Sequence, residues 1–178
     1  MYPMSVIDVR ERCPSEFSAL IRFGFLLAAG VVLLDQVSKY LIIHHIMAVP
    51  HTIEVTSFFN IVMVWNKGAS FGLFSTHSPW TQLVLGALAI IITLVLVAWL
   101  RKAQSSWLAS SLGLLIGGAL GNVIDRVVYR QVADFLDFHA LGYHWPSFNI
   151  ADIAISCGVI MLLFDGLIAR RRDNRFRH

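Results

Sequence analysis

The sequence predicts an all-α integral membrane protein with four transmembrane helices and a small extracytoplasmic β-sheet. Three observations support this fold class. Of the 178 residues, 57% are hydrophobic and only 14% are charged, whereas soluble domains contain about 25% charged residues. The chain also contains four apolar runs long enough to span a bilayer. Finally, the connection between the first two runs has the alternating pattern of β-strands.

Each apolar run is predicted to be one membrane helix, because a span needs about 17–25 mostly apolar residues. The four runs are Phe23–Ile43, Trp80–Leu100, Trp107–Ile124 and Ile150–Ala169. The first run follows arginines, as in a secretory signal peptide, but three more spans come after it. This favours an uncleaved membrane helix. Since little chain remains outside the runs, we expect residues 1–178 to form a single integral membrane domain.

The basic residues predict the orientation of the chain in the membrane. Ten Lys and Arg residues precede the first span, join the second to the third, or follow the fourth. Only Lys67, Arg126 and Arg130 fall on the other side. Because basic residues accumulate on the cytoplasmic side, both termini are expected in the cytoplasm. The basic residues flank spans, so their distribution favours membrane orientation over nucleic-acid binding.

The connection after the first span is predicted to form part of a small sheet on the outer membrane face. Residues 52–65, TIEVTSFFNIVMVW, are rich in β-branched and aromatic residues, which indicates one or two short strands. Residues 66–72, NKGASFG, then supply asparagine and glycine for a tight turn. The letters GASFG match the nucleophile elbow of serine hydrolases, but no nearby histidine has an evident acidic partner. A serine hydrolase is therefore disfavoured.

Uncommon polar residues from distant parts of the chain converge near the outer boundary in this topology. They are Asp35, Asn66, Asn122, Asp125, Asp134, Asn149 and Asp152. Ionisable groups at membrane depth are costly and are functional candidates by default. We therefore expect the outer ends of the helices to form a polar site.

Several of these residues also have a purely structural interpretation. Asp35 and Lys39 are four residues apart on one helix face and could simply neutralise each other. Asn149 and Asp152 have the spacing of a capping box at the start of the fourth span. Each interpretation would explain a polar residue without assigning it a function.

Other features of the third and fourth spans are interpreted structurally as well. Asp125 and Arg126 could form an ion pair at a helix end. The glycine-rich GGALG, residues 117–121, indicates close helix packing through small residues. Asp137 and Asp165 are interpreted as boundary residues without a functional role.

Asp134 and Asp152 suggest aspartate chemistry, because neighbouring carboxylates cannot both ionise cheaply and so share a proton. One carboxylate then acts as a general base on water while the other donates a proton. The two residues are 18 positions apart, which is enough chain to fold back. Spacing alone leaves a proton or ion pathway as plausible as a protease. The seven histidines lack a metal-ligand spacing, so no metal or cofactor is expected.

Five blocks in register resemble the lipoprotein signal peptidase family, signal peptidase II. They are LLDQVSK (33–39), WNKGASFG (65–72), GGALGNVIDR (117–126), VADFLDF (132–138) and FNIADIAIS (148–156). The resemblance implies an intramembrane aspartic endopeptidase with a small β-cradle over its active site. It implies that Asp134 and Asp152 are the catalytic dyad. The residues that support the dyad or bind substrate are then Asp35, Lys39, Asn66, Gly68, Asn122, Asp125, Arg126 and Asn149.

The same resemblance implies a substrate and a location. The expected substrates are bacterial prolipoproteins that carry diacylglycerol on a cysteine, cleaved on the N-terminal side of that cysteine. We expect a monomer in the bacterial inner membrane, in contact with lipid but not nucleic acid, with the active site near the outer face. The alternative is a small proton-coupled carrier that uses the same carboxylates, although the chain lacks the internal repeats common in carriers.

Overall fold

The computed structural model describes the backbone of residues 14–49, 51–68 and 79–175, and side chains within residues 18–49, 51–68, 80 and 82–166. Eight helices and strands follow one another in these ranges. They are α1 (Pro14–Leu41), β1 (Ile53–Thr56), β2 (Phe59–Asn66), α2 (Pro79–Leu100), α3 (Ser106–Tyr129), β3 (Val132–Ala140), β4 (Tyr143–His144) and α4 (Ile150–Arg175). A π-helical turn, Ile42–Ile46, extends α1 at its C-terminal end.

Three helical segments are long and apolar enough to cross a membrane within the described part of the chain. They are Ser18–Ile46, Gln82–Leu100 and Ser106–Tyr129. The first three predicted spans overlap these segments, and the third helix extends five residues beyond the predicted end at Ile124. The fourth predicted span, Ile150–Ala169, falls within α4 and stays a prediction. The prediction of a mostly helical membrane fold with a small sheet is thereby confirmed, whereas the number of four spans stays a prediction.

The central helix of the fold is α3, which packs against α1, α2 and α4. It is largely buried, whereas α1 and α2 present exposed apolar side chains such as Leu26, Leu33 and Leu94. Apolar surface of this extent is typical of a protein that contacts lipid. The arrangement therefore has one buried helix surrounded by helices whose outer faces suit a bilayer.

Small residues bring α3 close to its neighbours, as the GGALG segment predicts. A Cβ atom at Gly117 would lie 2.7 Å from the carbonyl oxygen of Ala28 on α1. A Cβ atom at Gly118 would lie 2.5 Å from the carbonyl oxygen of Ala151 on α4. Such contacts are too short for any side chain, so glycine permits the backbones to approach. The prediction of close helix packing is confirmed.

The strands form one antiparallel sheet in the order β1-β2-β3-β4. The two strands expected in residues 52–65 are present as β1 and β2. In contrast, β3 has no counterpart among the elements predicted from the sequence. Most residues at the start of β3 are buried regardless of which face they occupy, so the sequence lacks the polar–apolar alternation of a half-exposed strand. In the structure, Asp134 lies on this strand and is paired with Val64 of β2.

Candidate active site

Asp134 and Asp152 approach the same polar site from the sheet and from a helix. Asp134 belongs to β3 and is 2% exposed, whereas Asp152 lies in the first turn of α4 and is partly buried. The chain returns between them, with Phe148 hydrogen-bonded to Leu136 of β3 before α4 begins. This return places the start of α4 beside β3.

The side chain of Asp134 accepts hydrogen bonds from two amides. Asn66 Nδ2 donates to Oδ2 at 3.0 Å, and Asn149 Nδ2 donates to Oδ1 at 2.7 Å. Burial and, to a smaller extent, the nearby charge of Asp152 together raise the pKa of Asp134 to about 7, although the two amide donors act to lower it. A carboxyl group in this environment holds a proton near neutral pH, so it can serve as an acid.

Asp152 is part of a capping box, as the spacing predicts. Its backbone N–H donates to Asn149 Oδ1 at 3.1 Å, and its Oδ2 accepts from the backbone N–H of Asn149 at 3.3 Å. Its other oxygen, Oδ1, accepts a hydrogen bond from Asn122 Nδ2 at 2.9 Å. The capping role therefore coexists with a place in the polar site, and it fixes the direction of the carboxylate.

Asn149 connects the two aspartates directly. The residue is completely buried, and it contacts Asp152 through the capping box and Asp134 through its amide nitrogen. The same nitrogen lies 3.2 Å from Asn122 Oδ1 and 3.3 Å from the carbonyl oxygen of Ala133. A single buried amide thus joins the strand, the start of α4 and the centre of α3.

Lys39 lies between two buried carboxylates close to the aspartate pair. Its Nζ atom is 2.7 Å from Asp35 Oδ2 and 2.9 Å from Asp125 Oδ2. It also donates to Asn122 Oδ1 at 3.3 Å. The predicted neutralisation between Asp35 and Lys39 is present, and Asp125 joins the same cluster. Because the cluster contains a cation and both carboxylates are paired, the charges can remain buried.

Both carboxylates of this cluster also bind backbone from other elements. Asp35 Oδ1 accepts from the N–H of Ala151 in α4 at 3.0 Å, and Asp125 Oδ2 accepts from the N–H of Ala133 in β3 at 3.1 Å. The cluster therefore fixes the backbone of the two residues that immediately precede Asp134 and Asp152.

The predicted ion pair between Asp125 and Arg126 is wrong. Asp125 pairs with Lys39, because consecutive residues of a helix point about 100° apart. Arg126 instead donates to the carbonyl oxygen of Asn122 at 3.1 Å and to that of Gly68 at 3.4 Å. It thereby connects α3 to the segment that follows β2.

Gln36, which is not among the predicted site residues, also belongs to the charged cluster. Its Nε2 atom donates to Asp35 Oδ2 at 3.1 Å, to Asp125 Oδ1 at 3.0 Å and to the carbonyl oxygen of Gly121 at 3.2 Å. Its position next to Asp35 in an apolar helix is the sequence feature that could have identified it as a site residue. Gly121 is required there too, since a Cβ atom would lie 2.5 Å from Asp35 Oδ2.

Asp137, interpreted from the sequence as a boundary residue, is a buried member of the sheet, and its position relative to the membrane boundary stays a prediction. Asp137 lies inside β3, is 4% exposed, accepts from Asn60 Nδ2 at 3.2 Å and pairs with His144 Nδ1 at 2.9 Å. None of these partners contacts Asp134 or Asp152 in the described residues. Asp137 therefore stabilises the far part of the sheet.

Some predicted features are described only in part. Of the predicted turn at residues 66–72, the structure describes 66–68, where Asn66 Oδ1 accepts from the N–H of Gly68 at 2.9 Å. The serine of GASFG, at position 70, lies outside the described residues. Within them, no group of three or more His, Cys, Asp or Glu side chains is arranged to hold a metal ion.

Comparisons with known proteins give one consistent family. The family model described as "Signal peptidase (SPase) II" matches residues 27–168. Similar curated proteins include the "Lipoprotein signal peptidase" of Burkholderia vietnamiensis (strain G4 / LMG 22486), 49% identical over 138 residues, which are 77% of this chain and 82% of the relative. That of Tolumonas auensis (strain DSM 9187 / NBRC 110442 / TA 4) is 44% identical over 150 residues, or 83% of this chain and 91% of the relative.

Solved structures share the fold. A structure described as "Bacterial membrane enzyme structure by the in meso method at 2.3 A resolution" aligns with a TM-score of 0.72 and 37% identity, over 83% of this chain and 88% of the other. A second, at 1.9 Å resolution, aligns with a TM-score of 0.70 and 37% identity over 83% and 94% of the two chains.

Proposed function

The chain belongs to the signal peptidase II family, and we propose that it is an aspartic endopeptidase that removes the signal peptide from diacylglyceryl-modified prolipoproteins. Cleavage occurs on the N-terminal side of the lipidated cysteine. The observation that carries the aspartic mechanism is that Asn149 donates to both aspartates, from its side-chain Nδ2 to Asp134 Oδ1 and from its backbone N–H to Asp152 Oδ2. It unites two carboxyl groups, one of them with a pKa of about 7.

The two aspartates divide acid and base roles. Asp152 lies in the first turn of α4, where its carboxylate accepts a hydrogen bond from the backbone N–H of Asn149. This bond and the helix dipole both favour a negative charge on Asp152. It removes a proton from water as the water oxygen attacks the scissile carbonyl carbon. Asp134 donates its proton to the carbonyl oxygen. As the tetrahedral intermediate collapses and the C–N bond breaks, Asp152 gives the proton it took from water to the cysteine nitrogen. A hydroxyl group of the intermediate returns a proton to Asp134 as the carbonyl group re-forms, so the dyad again holds one proton.

The surrounding amides orient the dyad. Asn66 and Asn149 hold the two oxygens of Asp134, and Asn122 holds one oxygen of Asp152. Because amides do not titrate, the dyad keeps its geometry through a proton-transfer cycle. Asp35 and Asp125, both paired with Lys39, hold the backbone N–H groups of the residues that precede Asp152 and Asp134. Arg126 holds the carbonyl oxygen of Gly68, close to Asn66.

The location of the site suits a lipidated substrate. The ten-to-three distribution of basic residues supports a chain with both termini in the cytoplasm. The dyad then lies near the outer face of the inner membrane, where water is available. The acyl chains of the substrate remain in the leaflet, because each buried CH₂ adds about 0.8 kcal/mol to the free energy of membrane binding. This anchoring sets the depth of the modified cysteine.

The decisive experiment is incubation of the purified protein with a lipidated precursor. We expect release of the signal peptide by the wild type and none by Asp134→Asn or Asp152→Asn, since an amide keeps the shape but cannot cycle a proton. Asp137→Asn is the matched control, because it removes a buried carboxyl group from the same strand without touching the dyad. Near wild-type cleavage by either dyad variant contradicts the mechanism, and efficient cleavage of an unlipidated precursor contradicts the proposed substrate.

A further inference from the structure

The segment that follows β2 positions one of the two amides that bind Asp134. Asn66 Nδ2 donates to Asp134 Oδ2 at 3.0 Å, while Asn66 Oδ1 accepts from the N–H of Gly68 at 2.9 Å. The second bond fixes which way the Asn66 amide faces. Any displacement of residues 66–68 therefore displaces the donor to Asp134.

Two side chains from different helices hold the carbonyl groups of this segment. Arg126 of α3 donates to the carbonyl oxygen of Gly68 at 3.4 Å. Gln82 of α2 donates through Nε2 to the carbonyl oxygen of Lys67. Consecutive carbonyl groups are thus bound from two sides, and Gln82 supplies the contact from α2.

Gln82 is an unusual residue for its position. It lies near the start of a helix whose described surface is otherwise overwhelmingly apolar, and it is 8% exposed. Its Oε1 atom is buried and has no hydrogen-bond partner among the described residues. Leaving a buried acceptor unpaired costs stability, and a leucine would fill a similar volume without that cost. A leucine could not donate to the Lys67 carbonyl, so this hydrogen bond is what distinguishes glutamine at the position.

We propose that Gln82 is a positioning residue for the dyad. It holds the Lys67 carbonyl, so that the turn at residues 66–68 keeps its shape and Asn66 donates to Asp134. The inference rests on the proposed function, because it concerns the same aspartate. Gln82 touches neither aspartate and acts only through Asn66.

The test compares Gln82→Leu with Thr93→Val in cleavage of the lipidated precursor. Thr93 is the matched control, since it is buried on the same helix but donates only to the carbonyl oxygen of Ala89 within that helix. We expect kcat to fall about fivefold to tenfold in Gln82→Leu, the loss typical of one hydrogen bond. The KM should stay within about twofold, and the melting temperature should not fall. Thr93→Val should cleave at the wild-type rate.

A double variant tests the route through Asn66. Adding Gln82→Leu to Asn66→Ala should lower kcat no further, because the donor that Gln82 positions is already absent. Because Asn66→Ala alone should already cleave slowly, the single and the double variant are compared in long incubations that detect rates a thousandfold below wild type. Additive losses would overturn the proposal, as would an unchanged kcat in Gln82→Leu or a loss confined to KM. Failure of the wild type to cleave would instead refute the proposed function.

Discussion

Replacing Asp134 by asparagine should change the stability of the protein more favourably at high pH than at low pH. The carboxyl group has a pKa of about 7 in the folded protein and about 3.9 in an unfolded chain. A raised pKa favours the folded state only while the group is protonated, so that stability is fully present below about pH 4 and is lost as the pH rises through about 7. An asparagine never ionises and avoids this loss.

Linkage gives the size of the effect. With these two pKa values, the ionisation of Asp134 opposes folding by roughly 1–2 kcal/mol at pH 5 and roughly 4 kcal/mol at pH 8. Relative to the wild type, Asp134→Asn should therefore be roughly 2–3 kcal/mol more stable at pH 8 than it is at pH 5. For a chain of this length the difference corresponds to roughly 5–10 °C in melting temperature. Comparison of the two pH values cancels the pH-independent effect of changing the side chain.

Thermal unfolding in detergent micelles, followed by intrinsic tryptophan fluorescence at both pH values, measures this difference. Glu54→Gln is the control, because Glu54 is an exposed acidic residue of the same sheet. It should show no such dependence on pH. If Asp134→Asn gains equally at pH 5 and pH 8, or gains more at pH 5, then the buried carboxyl group is not held protonated near neutral pH and the reasoning fails.

Other predictions concern the charged cluster, the helix packing, the chemistry and the topology. Lys39→Met leaves Asp35 and Asp125 as unpaired buried carboxylates, so it should lower the free energy of unfolding by about 3–5 kcal/mol; recovery should follow if both are also changed to asparagine. Gly121→Ala should reduce cleavage and stability, because its Cβ would lie 2.5 Å from Asp35 Oδ2, whereas Gly86→Ala, in open space, should stabilise α2 by up to about 1 kcal/mol. Because carboxyl groups supply both acid and base, activity should survive strong chelators; loss that zinc restores would contradict this. Reporter fusions at both termini should report the cytoplasmic side, and a periplasmic signal would refute the topology.

Composition and local pattern were enough to predict that this protein lies in a membrane and to predict its first three spans. Apolar length needs no knowledge of distant partners, since each helix satisfies its own backbone hydrogen bonds in lipid. The capping box at Asn149 and Asp152 and the pair of Asp35 with Lys39 were predictable for the same reason, because both depend on residues within four positions of one another. The close packing of GGALG was equally local in its signal.

Only the tertiary structure decided which polar groups meet. Asp35 binds the backbone N–H of Ala151, 116 residues away, and Gln36 binds Asp125, 89 residues away. Such contacts depend on how closely α1, α3 and α4 approach one another. Glycines such as Gly121 permit this approach, because there is no room for a methyl group at their positions. The strand that carries Asp134 was hidden because burial on both of its faces removes the alternation that marks a strand. The sequence thus determined the kinds of group available to the site, and packing between distant helices determined their partners, because a hydrogen bond forms only within a few tenths of an ångström of its ideal length.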